Sequence, residues 1–383
     1  MDFSESDEQR MLRDAVAELA RQYGHSYFIK QARSNLRATE LWTELGDAGF
    51  LGVAIGQEYG GGGMGISEMN IVAEELAASG CPNLLLAVLA VCAPVIEKFG
   101  NPEQRQEWLP TLASGKAKMS IGITEPNAGS NSHRISTIAR RAGAEYRVNG
   151  TKHYISGMDE AEYVLTLVRT PSAEGRTDGD LSLLAIECAS SGISLSPIPL
   201  DIVSTERQFT VFFEDVEVPV DHLIGVEGSG LRHLFHGLNA ERMVSAAVAT
   251  GIGRYALGKA ARYASDRVVW DVPIGSHQGV AHPLAEAYAQ VELARLMNQK
   301  ASWLYDHGHE SGEASNIAKH AAASSCLTAL ERAIQVHGGN GLAAEYGLAD
   351  LWGIARMYGI APVSQEMVLN YIARHSLHLP KPY

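Results

Sequence analysis

The sequence predicts an α+β protein with an N-terminal all-α domain, a central β-barrel domain and a C-terminal four-helix bundle. Three observations predict it. Apolar residues at helical spacing fill the first stretch, β-branched and aromatic runs fill the middle, and helical spacing returns after about residue 240. These changes place the domains at residues 1–118, 119–223 and 224–383. A chain of 383 residues is long enough for more than one core.

Apolar spacing predicts the N-terminal helices. Residues 11–19 carry apolar side chains on one helical face, and the glycines at 60–63 predict a loop. The apolar run 84–95 is too short to span a bilayer, so we expect a core helix there. Asn101 followed by Pro102 is typical of a helix start, with asparagine as the cap and proline in the first turn.

The middle and C-terminal parts of the chain differ in the spacing of their apolar residues. Runs rich in β-branched and aromatic residues, bounded by turn residues, predict strands at 146–148, 163–168, 182–186 and 209–213. Helical periodicity then predicts four segments at about 240–266, 281–307, 314–337 and 363–377.

Composition and charge exclude several classes of protein. The net charge of −13 argues against a general nucleic-acid or membrane-surface binder. The four cysteines form no Cys-x-x-Cys pair and the histidines show no ligand spacing, so we expect no metal site. The stretch Met1 to Glu8 is acidic and lacks a basic region followed by an apolar run, which favours a cytoplasmic protein.

Four segments carry a family resemblance over essentially the whole chain. Residues 123–130 read Ile-Thr-Glu-Pro-Asn-Ala-Gly-Ser, and residues 149–157 read Asn-Gly-Thr-Lys-His-Tyr-Ile-Ser-Gly. Residues 267–278 begin Arg-Val-Val-Trp and end in glutamine, and residues 335–341 read Gln-Val-His-Gly-Gly-Asn-Gly. In this order they resemble the signature segments of the acyl-CoA dehydrogenases. The resemblance implies FAD as cofactor, an acyl-CoA substrate and an electron-transfer flavoprotein as partner.

The resemblance also implies which residues bind FAD. The backbone at Ile123 and the hydroxyl of Thr124 would bind the polar edge of the isoalloxazine ring. Tyr154 stands where the family has tryptophan and would shield the flavin face. Ser156 stands where the family has threonine and would bond near flavin N5.

A second group would bind the rest of the cofactor. Arg267 would pair with the pyrophosphate, which suits a guanidinium fork, and Trp270 and Gln278 would contact the adenosine half. In the family this arginine segment reaches the flavin of a neighbouring subunit, which requires at least a dimer and is usually met by a homotetramer. The resemblance completes the site with Gln335, Gly338, Gly339 and Ser364.

The catalytic base is the main question that the sequence raises. Most members of the family place a glutamate where this chain has Pro362, and proline cannot abstract a proton. A subset, the isovaleryl- and long-chain-type enzymes, places it in a Leu-x-x-Glu-Arg segment, which residues 238–242 match. Glu241 is therefore the predicted base. A structural explanation stays open, because an acidic residue near a helix N-terminus is favoured by the helix dipole.

The remaining predictions concern the substrate. By resemblance, Asn239, Arg242 and Ala361 would contact the acyl-CoA, and Arg242 would either hold CoA or orient Glu241. Ser130 would contact either the pantetheine of the acyl-CoA or the flavin phosphate region. Ala361 stands where many relatives have tyrosine, which leaves room for a branched or bulky acyl group. Pro362 also lacks the N–H that in the family helps to polarise the thioester carbonyl.

Two alternatives to an acyl-CoA dehydrogenase remain open from the sequence. One is a flavin-binding but catalytically silent subunit of a hetero-oligomer, which Pro362 favours. The other is an enzyme of the same fold that acts on a carrier-protein thioester or runs as an enoyl reductase. Glu241 and Ser156 favour the dehydrogenase.

Overall fold

The computed structural model of the protein describes residues 4–171 and 180–380. The first three residues of the acidic N-terminal stretch therefore lie outside the described residues. The order of elements agrees with the prediction: a helical region, a β domain and a second helical region.

The N-terminal domain contains α1 (Asp7–Arg33), α2 (Thr39–Asp47), α3 (Ile66–Ala78), α4 (Leu85–Phe99) and α5 (Pro102–Ala113). The predicted core helix is confirmed as α4, whose first nine residues are all buried. The predicted start of α5 is also confirmed. Asn101 accepts a hydrogen bond from the Gln104 backbone at 2.8 Å, and the Gln104 side chain accepts one from the Asn101 backbone at 2.9 Å.

The β domain is one curled sheet. Its strands are β1 (Met119–Gly122), β2 (Ile138–Ala142), β3 (Glu145–Ser156), β4 (Tyr163–Arg169), β5 (Leu181–Glu187), β6 (Ile193–Ile198) and β7 (Gln208–Pro219). They pair in the order β1-β4-β2-β3-β7-β6, and β5 pairs with β4. The β3–β7 register shifts between Val148 and Gly150 and again between Lys152 and Ile155. Such shifts bend a sheet, and the predicted barrel domain accordingly takes the form of a curled sheet with its own core.

The C-terminal region contains α6 (Gly230–Asp266), the hairpin β8 (Val268–Val269) and β9 (Val272–Pro273), α7 (Gln278–Asp306), α8 (Gly312–His337), α9 (Trp352–Met357) and α10 (Gln365–His375). Helix α6 begins ten residues before the predicted start and runs through Gly237, a poor helix former that close packing requires. A Cβ atom there would lie 2.5 Å from the Val91 carbonyl oxygen of α4. The fourth helix, α10, has only 11 residues, so three long helices dominate the bundle.

One buried cluster joins the two helical regions. The Glu74 carboxylate of α3 lies 2.9 Å from Arg13 of α1, 3.2 Å from Arg254 of α6 and 2.6 Å from Arg295 of α7. Burial opposes ionisation, but these three charges outweigh it and lower the pKa of Glu74. The N-terminal domain and the bundle also share one continuous apolar core, to which β1, β4 and β5 of the β domain contribute one face.

No helix in the described ranges combines the length and apolar character needed to cross a lipid bilayer. The described residues also contain no cluster of three histidine, cysteine or acidic side chains arranged to hold a metal ion.

Candidate active site

Glu241 lies in the first third of α6; part of the residue is exposed, but its carboxylate is enclosed by protein, close to Cys92 of α4 and Lys319 of α8. Burial raises the pKa of Glu241 to about 7, and the charges of Arg242 and Lys319 oppose that rise. Among the described residues none donates a hydrogen bond to this carboxylate. A carboxylate with these properties takes up a proton near neutral pH.

The two cations beside Glu241 are both buried and both engaged. Arg242 is 8% exposed and donates to the side-chain oxygen of Asn239 at 2.7 Å. Lys319, on α8, is 1% exposed and donates to the backbone oxygen of Val363. Burial, with Arg242 next to it, lowers the pKa of Lys319 to about 8, and Glu241 opposes this.

Lys319 therefore connects Glu241 with the segment 361–364, where most of the family has its base. Ala361 and Pro362 are half-buried, and the Ala361 amide donates to the Met357 carbonyl at 2.8 Å. Ser364 caps α10 by accepting a hydrogen bond from the Met367 backbone at 3.3 Å. Glu241 and Pro362, the predicted and the usual positions of the base, thus both lie close to Lys319.

A buried ion pair fixes the segment that carries Ile123 and Thr124. Glu125 accepts from Lys152 at 2.9 Å, from the Ser136 backbone at 2.7 Å and from the Thr137 backbone at 2.9 Å. The side chains of Lys152 and Glu125 are 0% and 3% exposed. Burial opposes ionisation, but Lys152 and these hydrogen bonds outweigh it and lower the pKa of Glu125 to about 2. Lys152 also donates to the Ile123 carbonyl at 3.1 Å, which ties β3 to this segment.

Strand β3 then presents Tyr154 and Ser156. Tyr154 lies within the second register shift, with a left-handed φ of 58° and 54% of its surface exposed. A non-glycine residue held in this conformation at a bulge is common at functional sites. Ser156 accepts from the Gln208 side chain at 2.7 Å, and its carbonyl accepts from the Ser120 hydroxyl at 2.9 Å. The Ser120 carbonyl in turn faces the thiol of Cys92, which lies within electrostatic range of Glu241.

The other predicted cofactor residues lie at the opposite end of α6. Arg267 is exposed at the C-terminal end of this helix, and 26 residues of helix place it about 39 Å from Glu241. Trp270 is 84% exposed at the tip of the β8–β9 hairpin. Gln278 is exposed at the first turn of α7.

The glycine-rich segment lies at this same end. The ring of His337 stacks on that of Tyr263 of α6, with centroids 4.3 Å apart. Gln335, Gly338 and Gly339 are exposed, and a Cβ atom on either glycine would meet no protein atom within 4 Å. The predicted cofactor residues therefore form two groups that one chain does not bring together. Ser130 is exposed next to the turn that Glu125 and Ala128 close, in the segment that follows Ile123 and Thr124.

These surroundings fit FAD. An exposed aromatic ring at a bulge, a hydroxyl on the same strand and a fixed backbone edge suit a flavin ring. An exposed guanidinium and two open glycines suit a phosphate-bearing group. We infer that Ile123, Thr124, Tyr154 and Ser156 would hold the flavin, and that the second group would hold the distal half of a cofactor bound by another subunit.

Sequence reasoning missed two groups that matter here. Lys319 had a recognisable signal, because it lies on the buried face of α8 with Ser315, Ala318 and Ala322. A lysine at a position of an apolar periodicity needs a partner. The pairing of Glu125 with Lys152 had no such signal. The two residues lie in separate motifs, and nothing in either motif indicates that these two side chains meet.

The fold and the site define a flavin-dependent oxidoreductase. The chain matches the acyl-CoA dehydrogenase N-terminal domain over residues 6–116, the middle domain over 120–216 and the C-terminal domain over 228–377. It is 49% identical to acyl-CoA dehydrogenase FadE12 of Mycobacterium tuberculosis over 386 aligned positions, which cover 100% of this chain and 99% of that protein. The chain belongs to the acyl-CoA dehydrogenase family, an oxidoreductase family that acts on acyl-CoA, and its cofactor is FAD.

Solved structures agree with this assignment. The complex of glutaryl-coenzyme A dehydrogenase with glutaryl-CoA has a TM-score of 0.93 at 29% identity, covering 100% of this chain and 98% of that one. Butyryl-CoA dehydrogenase from Megasphaera elsdenii has a TM-score of 0.93 at 26% identity, covering 98% of this chain and 100% of that one.

Replacing Glu125 with glutamine tests the ion pair. Glu125→Gln leaves the Lys152 ammonium buried without a counter-charge, so we expect the free energy of unfolding to fall by about 3 kcal/mol. The purified variant should also contain less FAD, because the Ile123–Thr124 edge loses its support. Denaturant unfolding and the flavin-to-protein absorbance ratio measure the two effects.

The matched control is Glu217→Gln, which breaks the exposed pair with Arg147. It should cost less than about 1 kcal/mol and leave the FAD content unchanged. Equal losses in the two variants would contradict a special role for the buried pair.

Proposed function

We propose that the chain catalyses the α,β-dehydrogenation of an acyl-CoA thioester with Glu241 as the base that takes the α-proton. The observation that carries the proposal is the surroundings of Glu241. Its carboxylate is desolvated, free of hydrogen bonds from described residues and flanked by two cations. The alternative base position is occupied by Pro362, which has no titratable group.

Desolvation and the neighbouring charges have opposite effects on the pKa of Glu241, and the reaction needs both. Burial raises the basicity of the Glu241 carboxylate, while Arg242 and Lys319 keep enough of it ionised to act near neutral pH. FAD, when bound, accepts the hydride from the β carbon. Arg242 is buried and engaged with Asn239, which favours charge support for Glu241 over direct contact with CoA.

The thioester carbonyl must be polarised without a backbone N–H at position 362. In other enzymes the loss of one such donor costs about 10²–10³ in rate. We therefore expect a slower chemical step than in relatives that have a glutamate there. Electrons would pass to an electron-transfer flavoprotein, as the family resemblance implies.

The exposed hairpin supports an oligomer. Trp270 and the exposed Arg267 lie far from Glu241 on the same chain, so their predicted FAD contacts need a second copy. Val268, Trp270 and Val272 are all exposed on this hairpin, and such a group of exposed apolar side chains is typical of an interface. We propose at least a dimer and, by resemblance, a homotetramer.

A second candidate is a flavin-binding subunit with little dehydrogenase activity of its own, or an enzyme that acts on a carrier-protein thioester. Pro362 is the observation that favours it, because it removes both the usual base and one carbonyl donor. Anaerobic mixing with short, branched and long acyl-CoAs separates the candidates. Bleaching of the flavin supports the dehydrogenase, and full flavin occupancy with no bleaching across the panel favours the second candidate.

Glu241→Gln should abolish bleaching by every acyl-CoA that bleaches the wild type, because an amide does not accept the α-proton. In the wild type the rate of bleaching should rise with pH and reach half its maximum near pH 7, since only the ionised carboxylate of a group with pKa about 7 is a base. Stopped-flow absorbance gives both results.

The matched control for that experiment is Glu366→Gln on α10, an exposed carboxylate four residues after Pro362. It should bleach like the wild type. Wild-type bleaching by Glu241→Gln, or its loss only in Glu366→Gln, would show that the base is another group.

Ala361→Tyr tests whether the small side chain at 361 admits branched acyl groups. A tyrosine fills the space next to the reacting carbons, and overpacking of this kind costs about 1–3 kcal/mol. We expect bleaching by branched acyl-CoAs to slow about tenfold or more relative to straight short chains. Ala361→Ser is the size-matched control, and an unchanged branched-to-straight ratio in Ala361→Tyr would contradict the idea.

A further inference from the structure

We infer that Lys319 is a positioning residue for the proton transfer: from inside α8 it holds the segment 361–364 in place and keeps Glu241 ionised. The inference rests on the proposed function, because it concerns how the base works. Lys319 is not expected to touch the reacting atoms.

The burial of Lys319 calls for an explanation. Its side chain is 1% exposed, and an ammonium group removed from water costs several kcal/mol unless it is compensated. One compensation is the hydrogen bond to the Val363 carbonyl, which is the bond that anchors the segment between Pro362 and Ser364. The others are the negative charges of Glu241 on the neighbouring helix and of Glu366 on α10.

The charged and titratable groups around Glu241 come from four elements. They are Arg242 on α6, Lys319 on α8, Cys92 on α4 and Tyr358 at the end of α9. Burial raises the pKa of both the Cys92 thiol and the Tyr358 hydroxyl well above their ordinary values, so both stay neutral at working pH. Burial therefore opposes the ionisation of Glu241, and the positive charges of Arg242 and Lys319 favour it.

The sign of the effect follows from this balance. With its pKa lowered only to about 8, Lys319 still carries its proton at the pH where Glu241 titrates. Its charge favours the carboxylate, so removal of the charge raises the pKa of Glu241. A neighbouring charge typically moves a pKa by about one unit or more. Arg242 alone would then leave less of the base ionised at neutral pH.

The arrangement also explains how a segment with proline at 362 stays next to the base. Pro362 has no N–H to donate, and the Ala361 amide is turned to Met357. The contact from Lys319 is made instead through the Val363 carbonyl, from a helix that also contacts α6. Lys319 thus favours the ionised form of Glu241 and also holds the segment 361–364 through the Val363 carbonyl.

The test uses the FAD-loaded protein and the acyl-CoA that bleaches the wild type fastest. The rate of bleaching is measured against pH for Lys319→Met and Lys319→Gln, which remove the charge, and for Lys319→Arg, which keeps it. Lys116→Met, at an exposed lysine before β1, is the control.

We expect the acid limb of both neutral variants to move up by about one pH unit. A shift of that size lowers the rate about fivefold at pH 7 and by less than about twofold at pH 9, where Glu241 is ionised in either case. Lys319→Arg and Lys116→Met should keep the wild-type acid limb.

An unmoved acid limb in the neutral variants, or an equal loss at every pH, would overturn the inference. Loss of FAD or of the folded state in both neutral variants would also overturn it, since it would assign Lys319 to folding alone. The proposed function fails separately: if Glu241→Gln bleaches normally, the base is misassigned whatever Lys319 does.

Discussion

The proposed base is a carboxylate held away from water, and this is the constraint on which the proposed mechanism depends. Removing Glu241 from water makes it more basic, but the same desolvation tends to leave it protonated and inactive. Arg242 and Lys319 resolve the conflict, and each is itself buried and hydrogen-bonded. Helices α6 and α8 pack directly against each other, which brings Lys319 close to Glu241.

Helix α6, which holds Glu241, also separates the two groups of predicted cofactor residues. Glu241 lies near the start of α6 and Arg267 at its end, about 39 Å apart. A rigid helix of this length cannot bring its two ends to one flavin. The exposed hairpin, the open glycines after α8 and the exposed Tyr154 ring are the surfaces that the proposed dimer and its bound cofactor would cover. The buried cluster around Glu74 keeps the helical regions fixed relative to each other.

Much of the fold could be predicted because its signals are local. The cap at Asn101, the apolar run of α4 and the strand runs of the β domain each depend on neighbouring residues. The first turns of α6 have a weaker local signal, since they include Gly237, whose place in the helix is explained only by Val91, far away in the sequence. Lys319 did leave a local signal, a lysine on the buried face of α8, but its link to Glu241 left none, and neither did the pairing of Glu125 with Lys152. Charge pairs between distant segments leave no periodic pattern, whereas motif residues do.

The most direct test of the account is exchange of the α-proton, measured on the FAD-loaded protein without air. An acyl-CoA that bleaches the flavin is incubated in deuterated water, and loss of its α-proton signal is followed by NMR. The account predicts exchange by the wild type that rises through about neutral pD, and none by Glu241→Gln. Exchange by Glu241→Gln at the wild-type rate would contradict it, because another group would then be removing the proton.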